Sequence, residues 1–97
     1  MSEKEQVLDT LKALKQEMTT RFKVKEIALF GSFVRGEQSS ASDIDLLVEL
    51  DEGADLFDLV ALGQFLEERL RRKVDLGTKR SLRREIREQV FKEMATI

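Results

Sequence analysis

The chain has 97 residues, 41% of them apolar and 37% charged, with a net charge of −2. These values predict one domain over residues 1–97 with a modest core, and no global drive toward nucleic acid or a membrane surface. Cys and His are both missing, which excludes disulfides, thiolate metal sites and the commonest general base, and leaves oxygen-ligated Mg²⁺, Mn²⁺ or Ca²⁺ as the metals the chain can hold.

The start, "MSEKEQVLDTLKALKQEM", is charged and unlike a signal peptide. No apolar run approaches the roughly 20 residues of a bilayer span, so a cytoplasmic protein is expected. Val7, Leu8, Leu11, Leu14 and Met18 recur at helical spacing, which predicts an amphipathic helix over 3–20 with Ser2 as its cap. "EIALF", Glu26 to Phe30, is short, apolar and ends at Gly31; it predicts a buried strand. Gly31-Ser32 and "FVRGE" predict a short helical turn, with Phe33 favoured for the core, and "GEQSSAS" predicts a loop.

"DIDLLVEL", Asp43 to Leu50, predicts a second strand, with Ile44, Leu46, Val48 and Leu50 on one face and Asp43, Asp45, Leu47 and Glu49 on the other. Asp55 is placed to cap a helix over 55–71, built on Leu56, Leu59, Val60, Leu62, Gly63, Leu66 and Leu70. "KVDLG", Lys73 to Gly77, predicts a third strand with Asp75 opposite Val74 and Leu76. Ser81 is expected to cap a last helix whose inward residues are Leu82, Ile86, Val90, Phe91 and Met94. Helices alternating with strands place the chain in the α/β or α+β class around a small sheet.

Asp43 and Asp45, two residues apart, present two carboxylates on one side of a strand. Such like charges repel unless a cation lies between them, and a divalent ion held by hard oxygens is the natural partner. The Gly31-Ser32 turn follows a buried strand and exposes backbone N–H groups at a helix start, where phosphate oxygens can approach. Arg35, about one helical turn on, can face the same phosphates. Asp75 joins the aspartates if its strand neighbours theirs. Three carboxylates, a metal pair and a nucleoside triphosphate make a phosphoryl-transfer site.

Gly31-Ser32, ten intervening residues, Asp43-x-Asp45 and a later Asp75 resemble the motif of the DNA polymerase β nucleotidyltransferase superfamily. Over nearly its whole length the chain is similar to the minimal nucleotidyltransferase (MNT) domain proteins. The resemblance implies a nucleotidyltransferase fold, a small mixed sheet flanked by helices. It also implies two Mg²⁺ ions held by Asp43 and Asp45, with Asp75 completing the metal site and helping to activate the attacking hydroxyl. Gly31 and Ser32 would grip the triphosphate of ATP. The partner implied is a HEPN-domain toxin, neutralised by transfer of AMP to a tyrosine hydroxyl, the chain acting as antitoxin. The alternative is a binding module that masks the HEPN ribonuclease sterically. A D-x-D glycosyltransferase is excluded by length and by the Gly-Ser turn.

Two segments, Arg69 to Lys73 and Lys79 to Arg87, are locally basic. They read as a solvated helical face with Glu85 and Glu88 as partners, or as a rim attracting ATP or an acidic protein. With six Phe and no Trp or Tyr, a base-stacking platform and direct nucleic-acid binding are not expected. The chain is too short for an added acceptor-binding domain, so a partner protein, or a homo-oligomer, must supply that wall.

Overall fold

A computed structural model describes residues 2–97. Eight elements follow in order: α1 (Glu3–Phe22), β1 (Val24–Phe30), α2 (Ser32–Arg35), β2 (Ile44–Leu50), α3 (Leu56–Leu70), β3 (Val74–Gly77), α4 (Arg84–Glu93) and β4 (Ala95–Thr96). The sheet order is β3-β2-β1-β4. β1 is antiparallel to β2 and β4, and β2 is parallel to β3. The architecture is the expected mixed sheet flanked by helices.

α1 begins where Ser2 accepts a hydrogen bond from the Glu5 amide at 3.1 Å, as its hydroxyl chemistry predicts. α3 begins with a reciprocal capping box: the Asp58 amide donates to Asp55, and the Asp55 amide donates to Asp58. Both helices lie on one face of the sheet. Leu11, Leu14, Met18 and Phe22 from α1 and Leu62, Phe65 and Leu66 from α3 bury against Val24, Ile27, Leu29, Ile44, Leu46 and Val48. Burial of these aliphatic and aromatic side chains is the main stabilising term. Phe33 is buried with them, as expected. The other face carries a smaller cluster of Leu47, Leu82 and Val90, with Phe30 and Met94 against it. α4 therefore covers only part of that face. Among the described residues no helix is long and apolar enough to cross a membrane.

Several boundaries differ from the sequence reading. β1 starts at Val24 and α1 runs to Phe22. β2 starts at Ile44, so Asp43 precedes the strand rather than opening it. Ser81 does not cap α4: the helix starts at Arg84, its cap residue Arg83 makes no side-chain cap bond, and the Ser81 hydroxyl closes a turn with Thr78. Tight local bonding won over capping. β4 was not foreseen. Two residues carry no periodic signal, and pairing with Leu29 and Ala28 is a tertiary fact. Leu56, Phe57 and Val60 are exposed although Leu56 and Val60 fit the helical stripe. They sit on the first turns of α3, which the core does not cover. Ile86 and Phe91 are also exposed, because α4 meets the sheet through Val90, with Leu82 of the preceding loop beside it.

Candidate active site at the end of the sheet

The sheet aligns the predicted carboxylates. Phe30 of β1 pairs with Asp45 of β2, and Asp45 pairs with Asp75 of β3. Direct partners on neighbouring strands, about 4.8 Å apart, share a face, so Phe30, Asp45 and Asp75 form one row. Asp43 lies on the approach to β2, just before Ile44, whose amide donates to the Lys73 carbonyl at 2.9 Å. That bond ties the approach to the start of β3.

Gly31 brings the turn between β1 and α2 against this row. Its φ of 79° and ψ of −150° lie where only glycine is unstrained. A Cβ there would fall on the Asp45 carboxylate, with Cγ at 3.1 Å and Cβ at 3.2 Å. Glycine thus lets β1 turn into α2 while Asp45 packs against the turn. The Gly31 carbonyl accepts from Val34 and Arg35, and the amides of Ser32 and Phe33 at the start of the turn have no acceptor within it.

Asp45 is half-buried. Burial first, then Asp75 and Asp43, push its carboxyl above the usual carboxylate range, and Arg35 opposes them. None of the three aspartates enters an ion pair among the described residues, and Arg35 offsets the crowding at Asp45 only through space. Their side chains are not drawn to metal-ligand spacing, and no three acidic groups among the described residues are. The donor set nonetheless fits Mg²⁺ by its chemistry: three carboxylates at one end of the sheet, Asp45 half-buried and Asp43 and Asp75 exposed, offer hard oxygens that no ion pair occupies among the described residues. Asp43, Asp45 and Asp75 are the residues that can hold it.

Two recesses open from this row. One is lined by Asp45, Asp75, Phe30, Ser81, Leu82 and Ile86. The second is lined by Gly31, Arg35, Ile86, Gln89, Val90 and Glu93. Arg35 lines the second recess with Gly31, and its guanidinium pairs with Glu37 at 3.0 Å and Glu93 at 3.2 Å. Those two hydrogen bonds raise its pKa. Glu93 is in turn held below the usual range by Gln89 and Arg35.

The α4 lining residues Ile86, Gln89 and Glu93 were missed in the sequence reading. Their helical stripe was visible, but not the end of the sheet it meets. Arg72, expected on a solvated basic face, is instead engaged with the loop. It donates to the carbonyls of Ser39 and Ser42 at 3.1 and 3.3 Å, packs over the Phe33 ring at 5.0 Å and pairs with Glu3. It holds the loop that delivers Asp43. The other basic segment corrects the expectation differently. Glu85 and Glu88 do not neutralise Arg80, Arg83, Arg84 or Arg87; Glu88 pairs with Lys92 instead.

Residues 11–97 match the nucleotidyltransferase domain family. A protein adenylyltransferase, MntA, from Thermococcus cleftensis is 40% identical over 93 residues, covering 96% of this chain and 94% of its own. A solved structure described as a minimal nucleotidyltransferase superposes with a TM-score of 0.76 at 36% identity, over 93% of this chain and 95% of that one. An MNT antitoxin solved with the tri-AMPylated HEPN toxin of Shewanella oneidensis has a TM-score of 0.61 at 28% identity, over 92% of this chain and 68% of that one.

Proposed function

The chain belongs to the nucleotidyltransferase domain family, and from that premise we propose that it transfers AMP from ATP to a tyrosine hydroxyl of a HEPN toxin, acting in the cytoplasm as the antitoxin. The observation that carries this reading is the Asp45–Asp75 register beside the Gly31 turn. The adenylyltransferase relative and the AMPylated toxin complex support the choice of AMP and of partner.

The residues divide the work by position. Gly31 admits the triphosphate to the backbone, and the Ser32 hydroxyl and the amides behind it donate to phosphate oxygens. Arg35, once released from Glu37 and Glu93, adds a fork of donors. Asp43, Asp45 and Asp75 would hold two Mg²⁺, and bound ions would supply charge neutralisation at the transferred phosphoryl group and ease loss of the acceptor hydroxyl's proton. Asp75 faces the recess on the side away from Gly31 and accepts the hydroxyl proton. The new bond joins the tyrosine oxygen to the α-phosphorus, and pyrophosphate departs. Holding donor and acceptor in line is the main contribution of the fold.

The test is incubation of the chain with α-labelled ATP, Mg²⁺ and its HEPN partner. Label on a partner tyrosine, lost in Asp45→Asn, is expected. A tight complex that stays unlabelled with the parent chain would replace this reading with steric masking.

A further inference from the structure

Ile86 is 44% exposed on α4 and belongs to neither core cluster. Helical spacing puts it one turn before Val90, which packs with Leu47 and Leu82. Ile86 overhangs the end of that cluster, and together with Phe30 it lines both recesses at the carboxylate row. The recess on the Asp75 side holds about 480 Å³, within the range of ligand pockets. Its walls divide by chemistry. Phe30, Leu82 and Ile86 make an apolar side, and Asp45 and Asp75 make a polar end. The Ser81 hydroxyl at its edge is already engaged: it accepts from the Thr78 amide and donates to the Thr78 carbonyl, both at 2.9 Å. No Lys or Arg lines this recess among the described residues. Its polar end therefore accepts hydrogen bonds and, with the carboxylates ionised, donates none.

We propose that Ile86 is a specificity-determining residue for the acceptor: with Phe30 and Leu82 it forms an apolar platform for the body of the acceptor side chain, and it selects a phenol over a short aliphatic hydroxyl. The inference rests on the transfer reading above and adds what chooses the acceptor. A phenol has a flat apolar ring with one O–H at its far end. That shape matches an apolar wall that ends in carboxylate acceptors, and packing against the Phe30 ring adds to the match. The one or two carbons of serine or threonine leave the platform uncovered and gain little from it. An anionic acceptor meets Asp45 and Asp75 with no cation in the recess to offset them. A lysine ammonium can donate to the carboxylates, but its flexible stem loses more rotamer freedom than a ring and covers less of the wall.

The test titrates the whole chain, in metal-free buffer, with p-cresol, toluene, ethanol and n-butylamine, and follows its methyl groups by NMR. p-Cresol is expected to shift the Ile86 and Leu82 methyls through its ring current. Toluene, which lacks the hydroxyl, is expected to bind there more weakly, and ethanol and butylamine to give no saturable shift. In I86A the p-cresol affinity, followed at Leu82, is expected to fall about tenfold. Ile86 lies outside both core clusters, so the variant keeps the core, and the parent titration decides the question even if the variant does not fold. Shifts centred on Leu56 and Val60, toluene or butylamine binding as tightly as p-cresol, or an unchanged affinity in folded I86A overturns the proposal. Transfer from α-labelled ATP to the HEPN partner is scored separately. Ring shifts at Ile86 without transfer keep the platform and remove the enzyme reading, while transfer without them does the reverse.

Discussion

Gly31→Ala isolates the contact between the turn and the central aspartate. The backbone at φ 79°, ψ −150° costs a non-glycine residue about 1–3 kcal/mol. The added methyl also falls on the Asp45 carboxylate, which must swing toward Asp43 and Asp75 or push the turn away. Each kcal/mol lowers the midpoint of a chain this size by roughly 4–8 °C. A loss of about 2 kcal/mol is thus roughly 8–16 °C by circular dichroism. Displacing a positioned carboxylate by about 1 Å should lower the transfer rate about 100-fold. Gly36→Ala is the control. It has φ 72° and open space around its Cβ, so it carries only the left-handed cost of about 1–2 kcal/mol and keeps near-parental transfer. If the two variants match in both midpoint and transfer rate, the packing of Asp45 against the turn is not what Gly31 provides.

Asp45→Asn removes a half-buried charge crowded by two others. Without divalent ions at pH 7 it should melt above the parent, because a carboxyl whose folded pKa is raised is a penalty fully present above that pKa. The gap should close as acid protonates Asp45 in the parent. Mg²⁺ should raise the parent's midpoint and leave the variant's unchanged, and an equal rise in both would remove Asp45 from the ligand set. Arg72→Ala loses two carbonyl acceptors and the Phe33 contact, so urea denaturation should show a loss of about 2 kcal/mol. Transfer should fall with it as the loop before Asp43 loosens; parental transfer would refute that coupling. Asp58→Ala opens the α3 capping box. The Asp55 amide, then Lys23, hold Asp58 below the usual aspartate range, so its contribution is complete above the unfolded pKa and disappears as pH falls through the folded one. The variant should melt lower than the parent at pH 7 and converge with it in acid; a constant difference would assign the loss to something other than charge.

Local chemistry made much of this legible in the residues themselves. The period of α1 and α3, the caps at Ser2 and Asp55, and the alternation in β2 are properties of neighbours along the chain. So is the joint spacing of Gly31, Ser32, Asp43 and Asp45, because a turn and the strand that follows its loop can be read in one segment. Asp75 was legible only as a condition, since nothing local says which strand lies beside β2. The parallel register with Asp45 met that condition. Tertiary structure alone decided the rest. It chose β4 as the partner of β1, aimed α4 at the end of the sheet so that Ile86 and Glu93 face the cleft, and gave Arg72 the loop carbonyls before Asp43. It also left Arg80, Arg83 and Arg84 without an ion-pair partner among the described residues. Backbone pairing and ion pairing join groups far apart in sequence, and their geometry exists only once the core has set the elements against one another.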